Sequence, residues 1–168
     1  YTIWRVIHIQ NLLKFIKIMS EMCYEEKLEI KEDYRKTKIN KNKFYFFPLD
    51  TTTKFKINKL FRKFTKNKLH KEKILSIKGR KFIIKDYYEG VVRFDFIDLC
   101  NKNLGAEDYI KIAEVCKFII IENLRNFNKD NSNQQQRFIT LIDIIYEKKI
   151  PIAISSENNI RYLTSAKN

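Results

Sequence analysis

The chain has 168 residues, enough for one domain or a piece of one, and its 44% hydrophobic content with 13 Phe and 9 Tyr is enough to build a core. Its formal net charge of +14 is far from neutral, and only 3 Gly and 2 Pro are present, which limits tight phosphate-binding loops. Cys23, Cys100 and Cys116 are widely spaced, with no CxxC or Cys/His cluster, so they read as buried reduced thiols rather than zinc ligands or a disulfide framework.

The first segment, Ile3 to Met19, is apolar and basic, as a leader peptide is. It lacks a small-residue cleavage site and is interrupted by Arg5, Lys14 and Lys17. An amphipathic helix over Val6 to Tyr24 is the better reading, with Ile9, Leu12, Leu13, Ile16 and Met19 on one face. No run reaches the ~18–20 apolar residues of a membrane span. The chain opens at Tyr1 rather than Met, and is read as beginning within a longer protein.

Lys27 to Ile30 alternates as an exposed strand does. Phe44 to Phe47 reads as a short aromatic strand stopped by Pro48. Asp50 or Thr51 can cap a helix running to about Asn67. Ile57, Leu60, Phe61 and Phe64 form its apolar stripe, and Lys54, Lys56, Lys59, Arg62, Lys63 and Lys66 its other face. Three β-like runs follow at Lys73 to Ile77, Lys81 to Lys85 and Val91 to Phe94, with turns at Gly79-Arg80 and Glu89-Gly90. Ala106 to Val115 is predicted helical. Phe118 to Ile121 is a continuous apolar run, the mark of a buried parallel strand. A polar loop from Asn126 to Asn133 precedes a helix from Gln134 to Lys148, and Ile150 to Ile154 is a second buried strand. Strand, helix and strand make a βαβ crossover, so the fold class is α/β with a parallel βαβ unit at the C-terminal end and a short β-rich middle section.

Charge divides the chain unevenly. Residues 1–80 hold 21 Lys/Arg against 8 Asp/Glu, and residues 81–168 hold 13 against 12. On that basis the chain reads as a basic helix/strand/helix segment over 1–80 and an α/β segment over 81–168, within one continuous domain fragment. From Lys36 to Lys73 there are 13 Lys/Arg against Asp50 and Glu72, with Phe44, Tyr45 and Phe47 interleaved. Such a stretch can neutralise phosphates and stack on bases, or it can be a solvated lysine face.

Several motifs recur in order. Asp33-Tyr34-Arg35 is followed by Tyr45-Phe46-Phe47-Pro48-Leu49, then Gly79-Arg80, then Phe94-x-Phe96-x-x-Leu99-Cys100. Next come Leu104-Gly105-Ala106-x-Asp108-Tyr109 and Arg137-Phe138-Ile139-Thr140-Leu141-Ile142-Asp143 with Tyr146. In order and spacing these resemble the C-terminal part of the ZapE/AFG-type P-loop ATPases, an AAA+-related family of bacteria and mitochondria. The resemblance implies a partial AAA+-like P-loop NTPase architecture. It implies a parent protein that binds ATP and Mg and hydrolyses ATP to remodel or control partner proteins, in cell division or in mitochondrial quality control. The partners it implies are an upstream ATPase core, client proteins and further copies of the chain. The compartment it implies is the bacterial cytoplasm, near the inner membrane, or the mitochondrial matrix.

The catalytic apparatus of that family is not in this chain. A P-loop needs G-x-x-x-x-G-K-[ST], but the three glycines here precede Arg80, Val91 and Ala106, never Lys. Phe118-Ile-Ile-Ile-Glu122 looks like a Walker B strand, yet Asn123 stands where a second acid belongs, and a core strand is the better reading. The chain alone is therefore expected to be inactive and to bind no cofactor.

Candidate site residues are few. By resemblance Arg35 can reach a nucleotide phosphate or a neighbouring subunit, or it can pair with Asp33 or a nearby Glu. Arg137 and Asp143 read as packing, ion-pairing or hydrogen-bonding residues. Asp95 and Asp98 lack a third metal ligand. His8 and His70 have no sequence neighbours that make a ligand set or triad. Ser155 and Ser156 end a predicted parallel strand, where α/β ligands bind. The alternative to an ATPase segment is a degenerate, non-catalytic binding module whose basic half binds nucleic acid or an anionic membrane surface.

Overall fold

The computed structural model describes residues 44–159, together with Lys14 and Lys17, which are helical and exposed. Apart from those two lysines, the expected helix over Val6 to Tyr24 lies outside the described residues, as do the strand Lys27 to Ile30, Cys23, His8 and Arg35.

Six strands form one mixed sheet. They are β1 (Tyr45–Phe46), β2 (His70–Ile77), β3 (Arg80–Tyr88), β4 (Val91–Asp95), β5 (Phe118–Leu124) and β6 (Ile152–Ser156), in the spatial order β1-β6-β5-β4-β3-β2. β1, β6, β5 and β4 run parallel to one another, and the β2–β3 hairpin joins β4 antiparallel at one side. The helices are α1 (Thr51–Thr65), α2 (Phe96–Cys100), α3 (Ala106–Glu114) and α4 (Ser132–Glu147). The α/β class, the C-terminal βαβ unit (β5-α4-β6) and the β-rich middle are all present, consistent with a partial P-loop NTPase-like fold.

Local chemistry accounts for the element ends. Asp50 caps α1 by accepting from the Thr53 amide at 2.7 Å. The β2–β3 turn places Lys78 and Gly79 at positive φ, so the two-residue turn sits one position earlier than the sequence reading, and Arg80 already belongs to β3. Gly90 has φ +100, and its carbonyl accepts from the amides of Lys117 and Phe118 at 2.7 and 3.2 Å, which seats the start of β5 beside β4. α2 was not foreseen. Its five residues are too short to show a helical period, and its N-cap Asp95 accepts from the Ile97 amide at 3.0 Å.

The charge boundary at 80/81 is not a structural one. It falls at the first residue of β3, and β1 and α1 from the basic half pack on strands from the other half. The sheet buries apolar side chains on both faces. Ile119 and Ile121 join a larger cluster with α2, α3 and α4, while Phe118 and Ile120 join a smaller one with Ile57 of α1. Phe64 of α1 stacks on Phe118, with ring centroids 4.3 Å apart. The α4 stripe of Phe138, Leu141, Ile142 and Ile145 is at most 1% exposed, as its period predicts. Cys100 and Cys116 are buried thiols, as read from the sequence.

Leu141→Ala removes a fully enclosed side chain from the larger cluster. It should cost roughly 2–5 kcal/mol in urea unfolding, the range for a large-to-small core change, and a loss below about 0.5 kcal/mol would place the stripe at the surface. Burial pushes the thiols of Cys100 and Cys116 up to about 12 from 9.0. The folded chain holds them neutral where the unfolded chain ionises them, so the stability they contribute is complete below pH 9 and lost as pH rises towards about 12. The unfolding free energy read from urea titrations should fall between pH 8 and pH 10, by about 1 kcal/mol for each thiol. A Cys100→Ala/Cys116→Ala chain should lose less over the same interval.

Candidate functional site

Parallel strands end together, and ligands of open α/β sheets bind beyond those ends. Here the ends are Asp95 of β4, Glu122 of β5 and Ser155 of β6, and β1 delivers the chain to the N-terminus of α1 at the same edge. A cleft of about 690 Å³ opens there, lined in part by Asp50, Thr53, Lys54, Arg93, Glu122 and Ser155.

The charged groups in this cleft are held by one another. Arg93 donates from Nε and Nη2 to both oxygens of Glu122, at 2.6 and 2.8 Å, and from Nη2 to Asn58 Oδ1 at 2.7 Å. The Arg93 guanidinium also lies 5.2 Å from the centroid of the Phe61 ring. The hydrogen bonds that Arg93 donates to Glu122 hold its guanidinium above its usual range. Asp50 spends one carboxylate oxygen on the α1 cap. Asn123 sits at φ +61, a conformation unusual for a residue other than glycine. Its amide donates to Ser155 Oγ at 3.0 Å, and its side chain donates to Asp95 Oδ2 at 2.6 Å. The pairing of β5 with β6 slips between Ile121 and Leu124, where this residue is accommodated.

These contacts decide what the edge can do. The strand–loop–helix unit β1-α1 has the connectivity of a phosphate-binding unit, but its loop is Phe47-Pro48-Leu49-Asp50. No glycine lets the backbone approach a phosphate, and the Asp50 carboxylate already accepts from the Thr53 amide at the start of α1. Glu122 stands where a Walker B acid would, with both oxygens committed to Arg93. Nucleotide and Mg therefore do not fit the residues at this edge.

The other sequence candidates have structural partners. Arg137 donates to the Cys100 carbonyl at 3.2 Å. Asp108 is buried, accepts from the Gly105 amide at 2.8 Å and pairs with Arg80 at 2.9 Å. The Tyr109 hydroxyl donates to the Leu99 carbonyl at 2.8 Å. The motif residues Arg80, Asp108, Tyr109 and Arg137 thus hold β3, α2, α3 and α4 together. Asp143 lies within the field of Lys14. Partial burial raises its carboxyl above the usual range, against the opposing charge of Lys14. Asp98 pairs with Lys102 at 3.4 Å and Asp95 caps α2, and no group of metal-ligating side chains occurs among the described residues. His70 Nε2 lies 2.9 Å from the Lys85 carbonyl.

Arg93, Asn58 and Asn123 were missed from the sequence. Arg93 carried a usable signal, because a charge inside a buried apolar strand must find a partner. Asn123 carried none, since its role depends on the slip in pairing. Lys54, Lys56, Lys59, Arg62, Lys63 and Lys66 are all exposed, and none is ion-paired with another described residue.

The family model described as AFG1-like ATPase matches residues 5–168. The chain belongs to the AFG1-like ATPase family. Among the relatives of this AFG1-like chain is lactation elevated protein 1 homolog B of Danio rerio, 26% identical over 146 residues, covering 85% of the chain and 29% of that protein. Another is the cell division protein ZapE of Escherichia coli, 21% identical over 147 residues, covering 88% of the chain and 39% of that protein. The chain thus spans well under half the length of these curated relatives. No solved structure gives a significant match.

Glu122→Ala would leave the Arg93 guanidinium, only 20% exposed at its side chain, without its carboxylate. Urea unfolding should show a loss of about 1.5–3 kcal/mol, the range for a hydrogen bond to a charged group. Replacing both residues by Met should recover part of that loss, because no uncompensated charge then remains.

Proposed function

We propose that this chain is the supporting C-terminal lobe of an AFG1-like ATPase. In this reading a P-loop in another part of the parent protein binds ATP and Mg. The lobe buttresses that core and offers docking surface for the partner proteins that the parent remodels or controls. Family membership supports the ATPase parent. The observation that carries the division of labour is the cleft at the strand ends, where Asp50 caps α1 and Glu122 is paired with Arg93 instead of being free for a nucleotide or Mg. The shared motif residues fit a structural lobe as well, since Arg80, Asp108, Tyr109 and Arg137 bond to other elements of the same domain.

The purified 1–168 chain should neither hydrolyse ATP nor bind a fluorescent ATP analogue in the presence of Mg. Turnover above background that co-purifies with the chain, and is lost in a Glu122→Gln variant, would overturn the assignment.

A further inference from the structure

α1 carries two faces with different fates. Ile57 is fully buried, Phe61 meets Tyr88 edge to face at 5.3 Å, and Phe64 stacks on Phe118. The opposite face is exposed and cationic. Lys59, Arg62 and Lys66 follow Phe55 at i+4, i+7 and i+11, which sets all four on one stripe, with Lys56 and Lys63 beside it. Lys54 departs from this row and lines the cleft instead. From Thr51 to Lys71 the chain carries no Asp or Glu, so nothing on this segment neutralises the row.

The stripe contains one residue that a solvated lysine face does not need. Phe55 is 66% exposed at the N-terminal end of this row, one turn from Lys59 and next to Lys56. An aromatic ring among cations can stack a base while its neighbours neutralise the flanking phosphates. A lipid surface fits less well. An interfacial helix sinks a broad apolar face into the headgroup boundary, and the apolar face of α1 is already committed to the sheet.

We propose that the exposed face of α1 binds single-stranded nucleic acid, with Phe55 stacking on a base and Lys56, Lys59, Arg62, Lys63 and Lys66 contacting phosphates. This binding needs no nucleotide and is independent of the ATPase reading. Its failure and the failure of that reading are therefore separately visible.

The test is fluorescence anisotropy of the 1–168 chain with a labelled oligo(dT) of about 20 nucleotides, long enough for several contacts, at about 50 and about 200 mM salt. Binding should weaken steeply with salt. Replacing Lys56, Lys59, Lys63 and Lys66 by Gln should flatten the log–log slope by about 0.7 for each contact removed. Phe55→Ala should weaken binding by about 5- to 150-fold, the loss of one stacked base, with the slope kept. Phe55→Trp should retain binding. All these side chains are exposed, and circular dichroism matching the wild type confirms an intact fold in each variant. No binding at the lower salt would overturn the proposal. So would wild-type affinity in Phe55→Ala, equal affinity for a duplex of the same length, or binding to phosphatidylserine vesicles without binding to the oligonucleotide.

Discussion

Phe118, Ile119, Ile120 and Ile121 of β5 are at most 4% exposed, on both faces of the sheet. Alternate side chains of a strand point to opposite faces, so each pair needs its own cover. α4 with α2 and α3 supplies one cover, and α1 supplies the other. Parallel pairing to β4 on one side and β6 on the other then follows, because both crossovers must carry their helices over the larger cluster. Removing either cover would expose a strand with no polar side chain before Glu122. The position of α1, and so of its exposed stripe, is a consequence of this demand.

The same arrangement brings Asp95, Glu122 and Ser155 to one edge, where an α/β protein commonly places its chemistry. In this chain the edge is consumed internally. Glu122 neutralises Arg93, Asp95 caps α2 and holds Asn123, and Asp50 caps α1. The part-buried pair of Glu122 and Arg93 compensates charges that the fold would otherwise leave without a partner. The connectivity of a phosphate-binding unit is kept while the loop chemistry that gives it purpose is absent. Family membership and a strand-end edge that does not fit a nucleotide are therefore compatible, and the motif residues Arg80, Asp108, Tyr109 and Arg137 act as fastenings between elements.

The basic character of the first half takes on a different meaning once α1 is placed. Lysines spread along a sequence describe only an average field. Packing Ile57, Phe61 and Phe64 against the sheet turns part of that charge into one oriented row and leaves Phe55 within it. Lys54, next to Phe55 in sequence but rotated away from the row around the helix, lines the cleft.

Much of the architecture was readable from the sequence by itself. The period of α4 named its buried stripe, the apolar run named β5, and the choice of Asp50 or Thr51 as cap located the start of α1, because local spacing and capping chemistry act over a few residues. The ordered motifs named the family for the same reason, since they are strings. The sequence could not show that Arg93 would meet Glu122, 29 positions away, or that Asn123 would be held at φ +61 by a slip against β6. It also gave a boundary at 80/81 that the β2–β3 hairpin crosses. Pairing register and the joining of distant strand ends are set by which faces can be buried together, and only the tertiary structure decides that.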